Sequence, residues 1–288
     1  MSKPKILVQL DTDARPSVFD AVVAVDAGVD HLLQYGGVTV ENVRELVHGA
    51  IFTRGPDDLK HTAIFIGGSD VATGEAVLSA VGAAFFGPMR VSVLMDANGA
   101  NTTAAAAVLA AAKHVPLAGA TAVVLAATGP VGSRAARLLA REGAIVRAAS
   151  RNKARSEAVC QAVRATVERC DVSSWQTSTP EELAAALDGA QIVIAAGAAG
   201  VQLLSAEVRK AAGSLRVAID LNAVPPLGIE GVKATDKAAD RDGTIGYGAL
   251  GVGGKKMKIH KEALRRLFAA NDQVLDAEAI LQIGKELG

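Results

Sequence analysis

The strongest constraint on the fold is an apolar run that ends in a glycine-containing turn. Val123–Leu125 has the β-branched character of a strand buried on both faces, and Gly129 and Gly132 follow it as G-x-x-G. A glycine at position 129 lets backbone N–H groups approach a pyrophosphate, and Gly132 removes a β-carbon where a helix packs on the strand. The helix predicted over about 131–142 points its positive end at the phosphates. This stretch therefore predicts a strand–turn–helix unit that binds a dinucleotide.

One position departs from the usual G-x-G-x-x-G pattern. Ala127 stands where the first glycine, which serves the tight turn, is expected. An ordinary strand–turn–helix junction therefore remains the alternative interpretation. The resulting question concerns cofactor affinity rather than cofactor type.

The end of the following predicted strand indicates which dinucleotide is bound. Ser150, followed by Arg151, comes 18 residues after Gly132, where an NAD-selective enzyme usually has Asp or Glu to hold the ribose hydroxyls. A carboxylate would repel a 2′-phosphate, whereas a guanidinium binds one through paired hydrogen bonds. This favours NADP over NAD. A solvated basic loop that includes Lys153 and Arg155 is the alternative.

The composition excludes several other classes of protein. The 288 residues contain 30 basic and 30 acidic side chains and only 3% aromatic residues, so neither charge nor base-stacking surfaces indicate nucleic-acid binding. Cys160 and Cys170 lack the spacing of a zinc site, and no metal ligands are predicted. Two uncharged stretches, 115–133 and 189–206, approach the length of a membrane span but contain strand and turn signals. We expect a soluble, cytoplasmic protein.

Strand and helix patterns alternate along most of the chain, which predicts an α/β fold with parallel sheets. We expect two domains: residues 1–100 form an N-terminal α/β substrate domain, and residues 101–255 form a Rossmann-like NADP-binding domain. Two amphipathic helices, predicted over about 255–270 and 276–287, are expected to pack back on the first domain, which then includes 256–288.

Polar side chains follow several predicted strands. Asn98, Asn101 and Thr102 stand at the seam between the two predicted domains, where small-molecule clefts form, although helix capping by Asn101 needs only one of them. Asp20 lies in the first turn of a helix that Ser17 caps, where it either favours the helix N-terminus or faces the cleft. Asp11 and Asp13, which precede that helix, are explained by turn chemistry.

Two further strand ends in the second half provide candidates for the cofactor site. Ala196 and Gly197 follow a strand at 191–197 and are candidates near the nicotinamide ribose, with a close-packed turn as the alternative. Asn222 ends another strand and is placed either to hydrogen-bond a ligand or to make a turn.

Three lysines, Lys255, Lys256 and Lys258, stand at the predicted start of a helix. The helix dipole disfavours cations there by up to about 1 kcal/mol each. A site that requires a cation is one explanation, and lysines that face water are the other. The five histidines show no metal or triad spacing, and nothing in the sequence indicates a hydrolase.

Taken together, several segments resemble one enzyme family along essentially the whole chain. They are Asp11–Ala14 with Pro16–Asp20, Asn98–Gly99 with Asn101–Ala106, Thr128–Gly132, Asn222–Ala223 with Pro225–Ile229, and Gly248–Gly251 with Gly253–Gly254 and Lys256. The sequence resembles the NADP-dependent methylene-tetrahydromethanopterin dehydrogenases, including relatives that also use methylene-tetrahydrofolate.

The resemblance implies a two-domain subunit with an interdomain active site, a homotrimeric assembly, and a pterin substrate oxidised to its methenyl form. It places the cleft lysine on Lys256 as the catalytic residue, whether it orients the substrate or adjusts the local field, with Asp20, Asn98 and Thr102 as substrate-binding residues. The residues predicted to bind NADP are Thr128, Gly129, Pro130, Val131, Gly132, Ser150, Arg151, Ala196, Gly197 and Asn222. Losing a hydride from a carbon between two nitrogens requires no proton transfer, which agrees with the absence of a convincing acid–base pair in the sequence.

Two other functions remain open from the sequence. A bifunctional methylene-tetrahydrofolate dehydrogenase with cyclohydrolase activity would need an activated water and a proton-transfer group. A non-catalytic NADPH sensor would bind nucleotide but would not oxidise a pterin.

Overall fold

The computed structural model describes residues 3–288, which fall into two compact units. The first unit contains the described residues up to Thr102 together with Met257–Gly288, and the second unit contains Thr103–Lys256. The sequence-based boundaries lie at 100/101 and 255/256. The second unit is therefore inserted in the chain of the first.

The elements are numbered in chain order. The strands are β1 (Ile6–Asp11), β2 (His31–Tyr35), β3 (Thr62–Gly67), β4 (Ser92–Met95), β5 (Thr121–Leu125), β6 (Ile145–Ser150), β7 (Asp171–Gln176), β8 (Ile192–Ala195), β9 (Val217–Asp220), β10 (Lys237–Arg241), β11 (Thr244–Tyr247) and β12 (Val274–Leu275). The α-helices are α1 (Val18–Asp26), α2 (Val43–Ile51), α3 (Val71–Ala84), α4 (Ala100–Ala112), α5 (Pro130–Arg141), α6 (Lys153–Thr166), α7 (Pro180–Leu187), α8 (Ala206–Ala211), α9 (Ala249–Arg266) and α10 (Ala277–Glu286).

The first unit is built on a parallel sheet in the order β12-β4-β3-β1-β2 within the described residues. All six residues of β3 are buried, as expected for a central strand covered by helices on both faces. β12 comes from the C-terminal segment and pairs with β4, with Val274 opposite Val93. β12 therefore belongs to the same sheet as the N-terminal strands, and α10 follows it within the same unit.

The second unit is built on a larger sheet in the order β10-β11-β9-β8-β5-β6-β7, counted over the described part of the chain. All of its strand pairs are parallel except β10–β11. The run from β7 to β11 has the strand order of dinucleotide-binding sheets, with β5 as the first strand of that motif. The prediction of an α/β fold with a Rossmann-like domain is confirmed. β7, β10 and β12 were not predicted.

The position of the lysines on α9 corrects one prediction. α9 begins at Ala249, so Lys255, Lys256 and Lys258 lie in its second and third turns rather than at its start. Because the helix dipole acts mainly over the first turn, the argument that these lysines oppose it is wrong.

None of the helices formed by residues 3–288 combines the length and the hydropathy that crossing a membrane requires.

Candidate active site

Ligands of open parallel sheets bind outside the carboxyl ends of the strands, where the strand order reverses. In the second unit this point lies between β5 and β8. The Ala127 N–H donates to the Ala149 carbonyl oxygen at 3.0 Å, and the Ala196 N–H donates to the Leu125 carbonyl oxygen at 3.1 Å. These bonds hold the turns after β5, β6 and β8 along one edge of the sheet. The predicted NADP residues on that edge are Thr128–Gly132, Ser150–Arg151 and Ala196–Gly197.

The turn after β5 is tight because α5 packs closely on it. A β-carbon on Gly132 would lie 2.5 Å from the Ala126 carbonyl oxygen and 2.9 Å from the Ala127 Cα. The strained backbone is at Ala126, whose φ of 55° is in the left-handed region, rather than at Ala127. Gly132 thus has the packing role that the sequence predicts.

Gly129 differs from Gly132, because packing within the chain does not require a glycine there. Its φ of −81° and ψ of 168° suit any residue. A β-carbon would lie 3.5 Å from the Ala126 oxygen and 3.6 Å from the Ala196 oxygen, which are ordinary contacts. Gly129 is the N-cap of α5, Pro130 follows it, and no side chain of the described residues caps the helix. The α5 N-terminus therefore presents N–H groups at the reversal point without a capping side chain, which is the arrangement that binds phosphate.

The end of β6 presents a basic side chain beside this turn. Ser150 is buried, and its Oγ accepts from the Asn152 N–H at 3.2 Å. Arg151 is exposed, while its carbonyl oxygen accepts from the Ser178 hydroxyl at 2.9 Å. The backbone at Arg151 is therefore held in place and the guanidinium is left at the surface. No carboxylate occupies the ribose position at the end of this strand.

The turns after β8 and β9 are explained largely by contacts within the chain. A β-carbon on Gly197 would lie 2.8 Å from Leu203 Cδ1, so a larger residue there would require the Leu203 side chain to move. Asn222 is buried, with its Nδ2 donating to the Pro226 carbonyl oxygen at 3.1 Å and its Oδ1 accepting from the Val224 N–H at 2.8 Å. The structure therefore uses Asn222 as a turn residue, and its predicted contact with the cofactor remains a proposal.

Sequence reasoning missed a buried carboxylate at the end of β9. Asp220 accepts from the Asn222 N–H at 3.0 Å and from the Ile229 N–H at 2.9 Å. Burial raises the pKa of this carboxyl, and hydrogen bonds from backbone N–H groups oppose the rise. Asp220 thus fastens the loop that runs to Gly228, where a β-carbon would come within 2.6 Å of its oxygen. A lone Asp after an apolar strand was the available signal.

In the first unit the strand order reverses between β1 and β3, and side chains tie the turns there together. Asp13 accepts from the Ser69 N–H at 3.0 Å and from the Ser69 hydroxyl at 2.8 Å. The Asn98 N–H donates to the Gly68 carbonyl oxygen at 2.6 Å. Asp11 accepts from the N–H groups of Asp13 and Ser17, each at 3.0 Å. The turns after β1, β3 and β4 therefore form one polar edge.

Asp96 is the centre of the segment between β4 and α4. It is 1% exposed, and its Oδ1 accepts from the N–H groups of Asn101 at 2.9 Å and Thr102 at 3.1 Å. Asp96 therefore supplies the capping oxygen of α4. The alternative in which Asn101 caps the helix is wrong, because its side-chain amide donates to the Met95 carbonyl oxygen.

The same carboxylate also binds Thr102. The Thr102 hydroxyl is fully buried and donates to Asp96 Oδ2 at 2.6 Å, while its role in substrate binding stays a prediction. Thr102 holds Asp96 in place. Asn98 remains exposed, with a left-handed φ of 55° that turns it out of the helix start.

The two remaining predicted residues belong to different units. Asp20 lies in the first turn of α1 and is partly exposed, and its N–H donates to the Ser17 hydroxyl at 3.2 Å as the capping prediction requires. Lys256 is a partly exposed residue of α9 at the end of the second unit. Within residues 3–288, no three His, Cys, Asp or Glu side chains come together in a way that could hold a metal ion.

These features define an NAD(P)-binding α/β protein of the Rossmann class. A family model described as NAD(P)H-binding matches residues 126–279. Among solved structures, the chain resembles the shikimate 5-dehydrogenase of Listeria monocytogenes, with 14% identity, a TM-score of 0.55, and 97% of this chain and 96% of that chain covered. It also resembles the 5-ketofructose reductase of a Gluconobacter strain, with 15% identity, a TM-score of 0.53 and 99% of each chain covered. At this identity the likeness concerns the fold.

Proteins of higher sequence identity indicate the family within this class. A family model described as the N-terminal part of methylene-tetrahydromethanopterin dehydrogenase matches residues 18–98. The chain is 46% identical over 289 residues, the full length of both proteins, to a Methylorubrum extorquens protein named Bifunctional protein MdtA. It is 34% identical, over 89% of each chain, to the NAD(P)-dependent methylenetetrahydromethanopterin dehydrogenase of the same organism. The chain belongs to the methylene-tetrahydromethanopterin dehydrogenase family.

Proposed function

We propose that this protein is an NADP-dependent dehydrogenase that oxidises methylene-tetrahydromethanopterin, and also methylene-tetrahydrofolate, to the methenyl form in one-carbon metabolism. The observation that carries the proposal is the uncapped N-terminus of α5 at the strand-order reversal, beside the exposed Arg151. The family membership supplies the substrate class.

The residues of the second unit fit a dinucleotide at this edge. Thr128, Gly129 and the first N–H groups of α5, beginning at Val131, hold the pyrophosphate, with Pro130 and Gly132 shaping the turn. Ser150 and Arg151 hold the 2′-phosphate, and a guanidinium suits it because it donates two parallel hydrogen bonds. Ala196, Gly197 and Asn222 line the nicotinamide ribose. NADP, when bound, accepts the hydride.

The pterin side relies on residues that position the substrate. The methylene carbon stands between two nitrogens that delocalise the cation left when the hydride departs, so the protein needs to supply alignment rather than a proton acceptor. In this proposal Asp20 and Asn98 hold the pterin, Thr102 acts by holding Asp96, and Lys256 orients the substrate or sets the local field. A homotrimeric assembly and a cytoplasmic location are part of the proposal.

A steady-state assay that crosses both pterins with both nucleotides tests this function. We expect reduction of NADP⁺ with methylene-tetrahydromethanopterin, and a lower kcat/KM with NAD⁺ for either pterin. Nucleotide binding without turnover of either pterin would instead support the NADPH sensor. Decay of methenyl absorbance without nucleotide, faster than in buffer, would reveal the cyclohydrolase activity of the bifunctional alternative.

The variant Arg151→Ala tests the choice of cofactor. We expect it to weaken NADP binding by about 1–3 kcal/mol, the range for hydrogen bonds to a charged group, and to leave NAD binding almost unchanged. Lys153→Ala is the matched control, because Lys153 is also basic and exposed but lies in the first turn of α6 rather than directly after β6. Isothermal titration of both nucleotides makes the comparison. Equal losses for NADP and NAD would remove the role assigned to Arg151.

A further inference from the structure

A cavity lies in the first unit, on the face of its sheet that α2 covers. Its volume is about 440 Å³, within the range of small-molecule sites. Ile6, Val8 and Leu33 line the sheet side, and Gly49 lies on the helix side. The strand pairing explains the shared face, since Val8 is opposite Leu33 and side chains two apart on a strand point to the same side. The residues assigned to NADP and pterin do not line this cavity.

Two polar side chains of this lining each have an atom without a hydrogen-bond partner in the described part of the chain. Thr62 is 3% exposed, and its hydroxyl has no hydrogen-bond partner among residues 3–288. Arg54 donates from Nη2 to the Pro4 carbonyl oxygen at 3.1 Å, while its buried Nη1 has no partner in the same part of the chain. A buried polar atom without a partner is costly, so two beside one cavity require an explanation.

The two groups lie at the same end of the cavity. Thr62 is opposite Ile6 in the sheet, and Pro4, which holds the Arg54 guanidinium, is two residues before Ile6. The neighbouring Asp58 carboxylate is bound by Lys3 at 2.8 Å. The cavity thus has an apolar body and one end with two hydrogen-bond donors, one of them cationic. Glu45 is the acidic residue of the lining and disfavours a second anionic group in the ligand.

Gly49 provides an independent indication that this space is kept open. It lies inside α2, where glycine is the least favourable residue except proline. A β-carbon on Gly49 would meet no atom within 4 Å, and its φ is not in the left-handed region. Neither backbone conformation nor packing within the chain requires a glycine here. Because Gly49 lines the cavity, we expect a larger side chain at this position to reduce the space there.

We propose that this cavity binds a small amphipathic monocarboxylate, with its apolar body against Ile6, Val8 and Leu33 and its carboxylate at Arg54 and Thr62. Both donor atoms are shielded from solvent, so binding requires a side-chain rotation of Thr62 and of the flexible Arg54. A carboxylate accepts from both groups, which satisfies the two unpaired donors. The site is separate from the dehydrogenase machinery and does not depend on the proposed function.

Calorimetric titration of the full-length protein with octanoate, 4-phenylbutyrate and 1-octanol tests the proposal. We expect saturable binding of at least one carboxylate at up to millimolar concentration and weaker binding of the alcohol. Gly49→Leu should weaken carboxylate binding by about tenfold or more, which corresponds to about 1.4 kcal/mol. Gly82→Leu is the matched control, because Gly82 is an α3 glycine whose β-carbon would also meet no atom and which does not line this cavity.

Thr62→Val and Arg54→Met test the polar end. Thr62→Val removes the hydroxyl with little change of shape, and we expect a loss of about two- to tenfold in carboxylate affinity with no loss for the alcohol. It also provides a readout if Gly49→Leu proves unstable in a thermal melt. Dehydrogenase kcat and KM should be unchanged in all these variants, so failure here is distinguishable from failure of the proposed function.

Three results would overturn the proposal. The first is the absence of saturable binding of both carboxylates to the unmodified protein. The second is carboxylate affinity that Gly49→Leu and Thr62→Val leave unchanged, or carboxylate binding that competes with the pterin. The third is a fall in oligomeric mass for Gly49→Leu but not for Gly82→Leu, which would show that the cavity seats another copy of the chain.

Discussion

The turn after β4 in the first unit and the turn after β5 in the second unit are built in opposite ways. In the first unit, the turns after β1 and β4 are held by carboxylates, with Asp11, Asp13 and Asp96 accepting from nearby N–H and hydroxyl groups. In the second unit, the turn after β5 contains no such side chain, and α5 begins at Pro130, after the N-cap Gly129, without a capping side chain. A helix start capped by its own aspartate has its N–H groups occupied, whereas an uncapped start remains available to a phosphate. The comparison explains why the anionic cofactor is assigned to the second edge.

The largest expected effect comes from removing the carboxylate of the first edge. Asp96→Ala removes the acceptor of two helix N–H groups and of the shorter hydrogen bond of the buried Thr102 hydroxyl, so we expect about 3 kcal/mol of destabilisation. Urea unfolding followed by circular dichroism measures it. Asp13→Ala, at a more exposed site, is the control and should cost less. A loss of NADP affinity in folded Asp96→Ala would break the comparison, because the two edges would then not be independent.

A pair of alanine variants tests the second edge. Gly132→Ala forces a β-carbon against the backbone of Ala126 and Ala127, and we expect a loss of about 1–3 kcal/mol in stability. Gly129→Ala should change the free energy of unfolding by less than about 0.5 kcal/mol, because its β-carbon fits. It should nevertheless weaken NADP binding. Unfolding curves and nucleotide titrations of the same two proteins separate the effects, and unchanged NADP affinity in Gly129→Ala would remove α5 as the phosphate site.

A third substitution tests which residue of the turn after β5 has the strained backbone. Ala126 has a left-handed backbone that a glycine adopts more easily, so Ala126→Gly should stabilise the protein by up to about 1 kcal/mol. Ala127→Gly is the control at the position where the nucleotide pattern expects glycine. It removes a fully buried methyl group without relieving a left-handed φ, so thermal melts should show destabilisation.

The last test concerns a carboxylate of the second unit that lies away from the turn after β5. Hydrogen bonds from Arg241 lower the pKa of Asp236 below its ordinary 3.8, so the native state favours the ionised form. The stabilisation is complete above pH 3.8 and is lost as the pH falls through the lowered pKa of the folded protein. Asp236→Asn should cost about 1 kcal/mol at pH 7 and progressively less below pH 3.8 in urea unfolding. A cost that is independent of pH would assign the effect to the loop rather than to the charge.

The extent to which the fold was predictable depended on burial. β3, β5 and β8 are apolar runs with four or more buried residues, and their patterns predicted them. β7 reads Asp-Val-Ser-Ser-Trp-Gln and β10 reads Lys-Ala-Ala-Asp-Arg, so neither has a strand pattern of its own. Both lie at sheet edges, where pairing with a neighbour rather than local propensity determines the conformation.

The candidate site was predictable where a glycine at a characteristic spacing marks it. It was less predictable where the conformation of a turn decides which side chain reaches the site. Gly132 was correctly interpreted as a packing glycine because its spacing from β5 is characteristic. The capping role of Asp96 was missed because Asn98 and Gly99, both at positive φ, turn the chain so that a residue before them reaches the helix start. The early start of α9 was hidden by its glycines. Gly251 is required there because a β-carbon would lie 1.8 Å from the Asp236 carbonyl oxygen.

Because the second unit is inserted in the chain of the first, the two units are completed in a fixed order during translation. The sheet of the first unit includes β12, whose residues are translated after the whole of Thr103–Lys256 has left the peptidyl-transferase centre. Because domains form as units during synthesis, the nucleotide-binding unit has its complete sequence available first. The N-terminal strands are translated earlier, but the β4 edge stays unpaired until the C-terminal segment emerges from the ribosome. In nascent chains halted before residue 274, the β4 edge should thus be accessible to proteases or chaperones. The second unit, although translated after β4, should already be folded and protected.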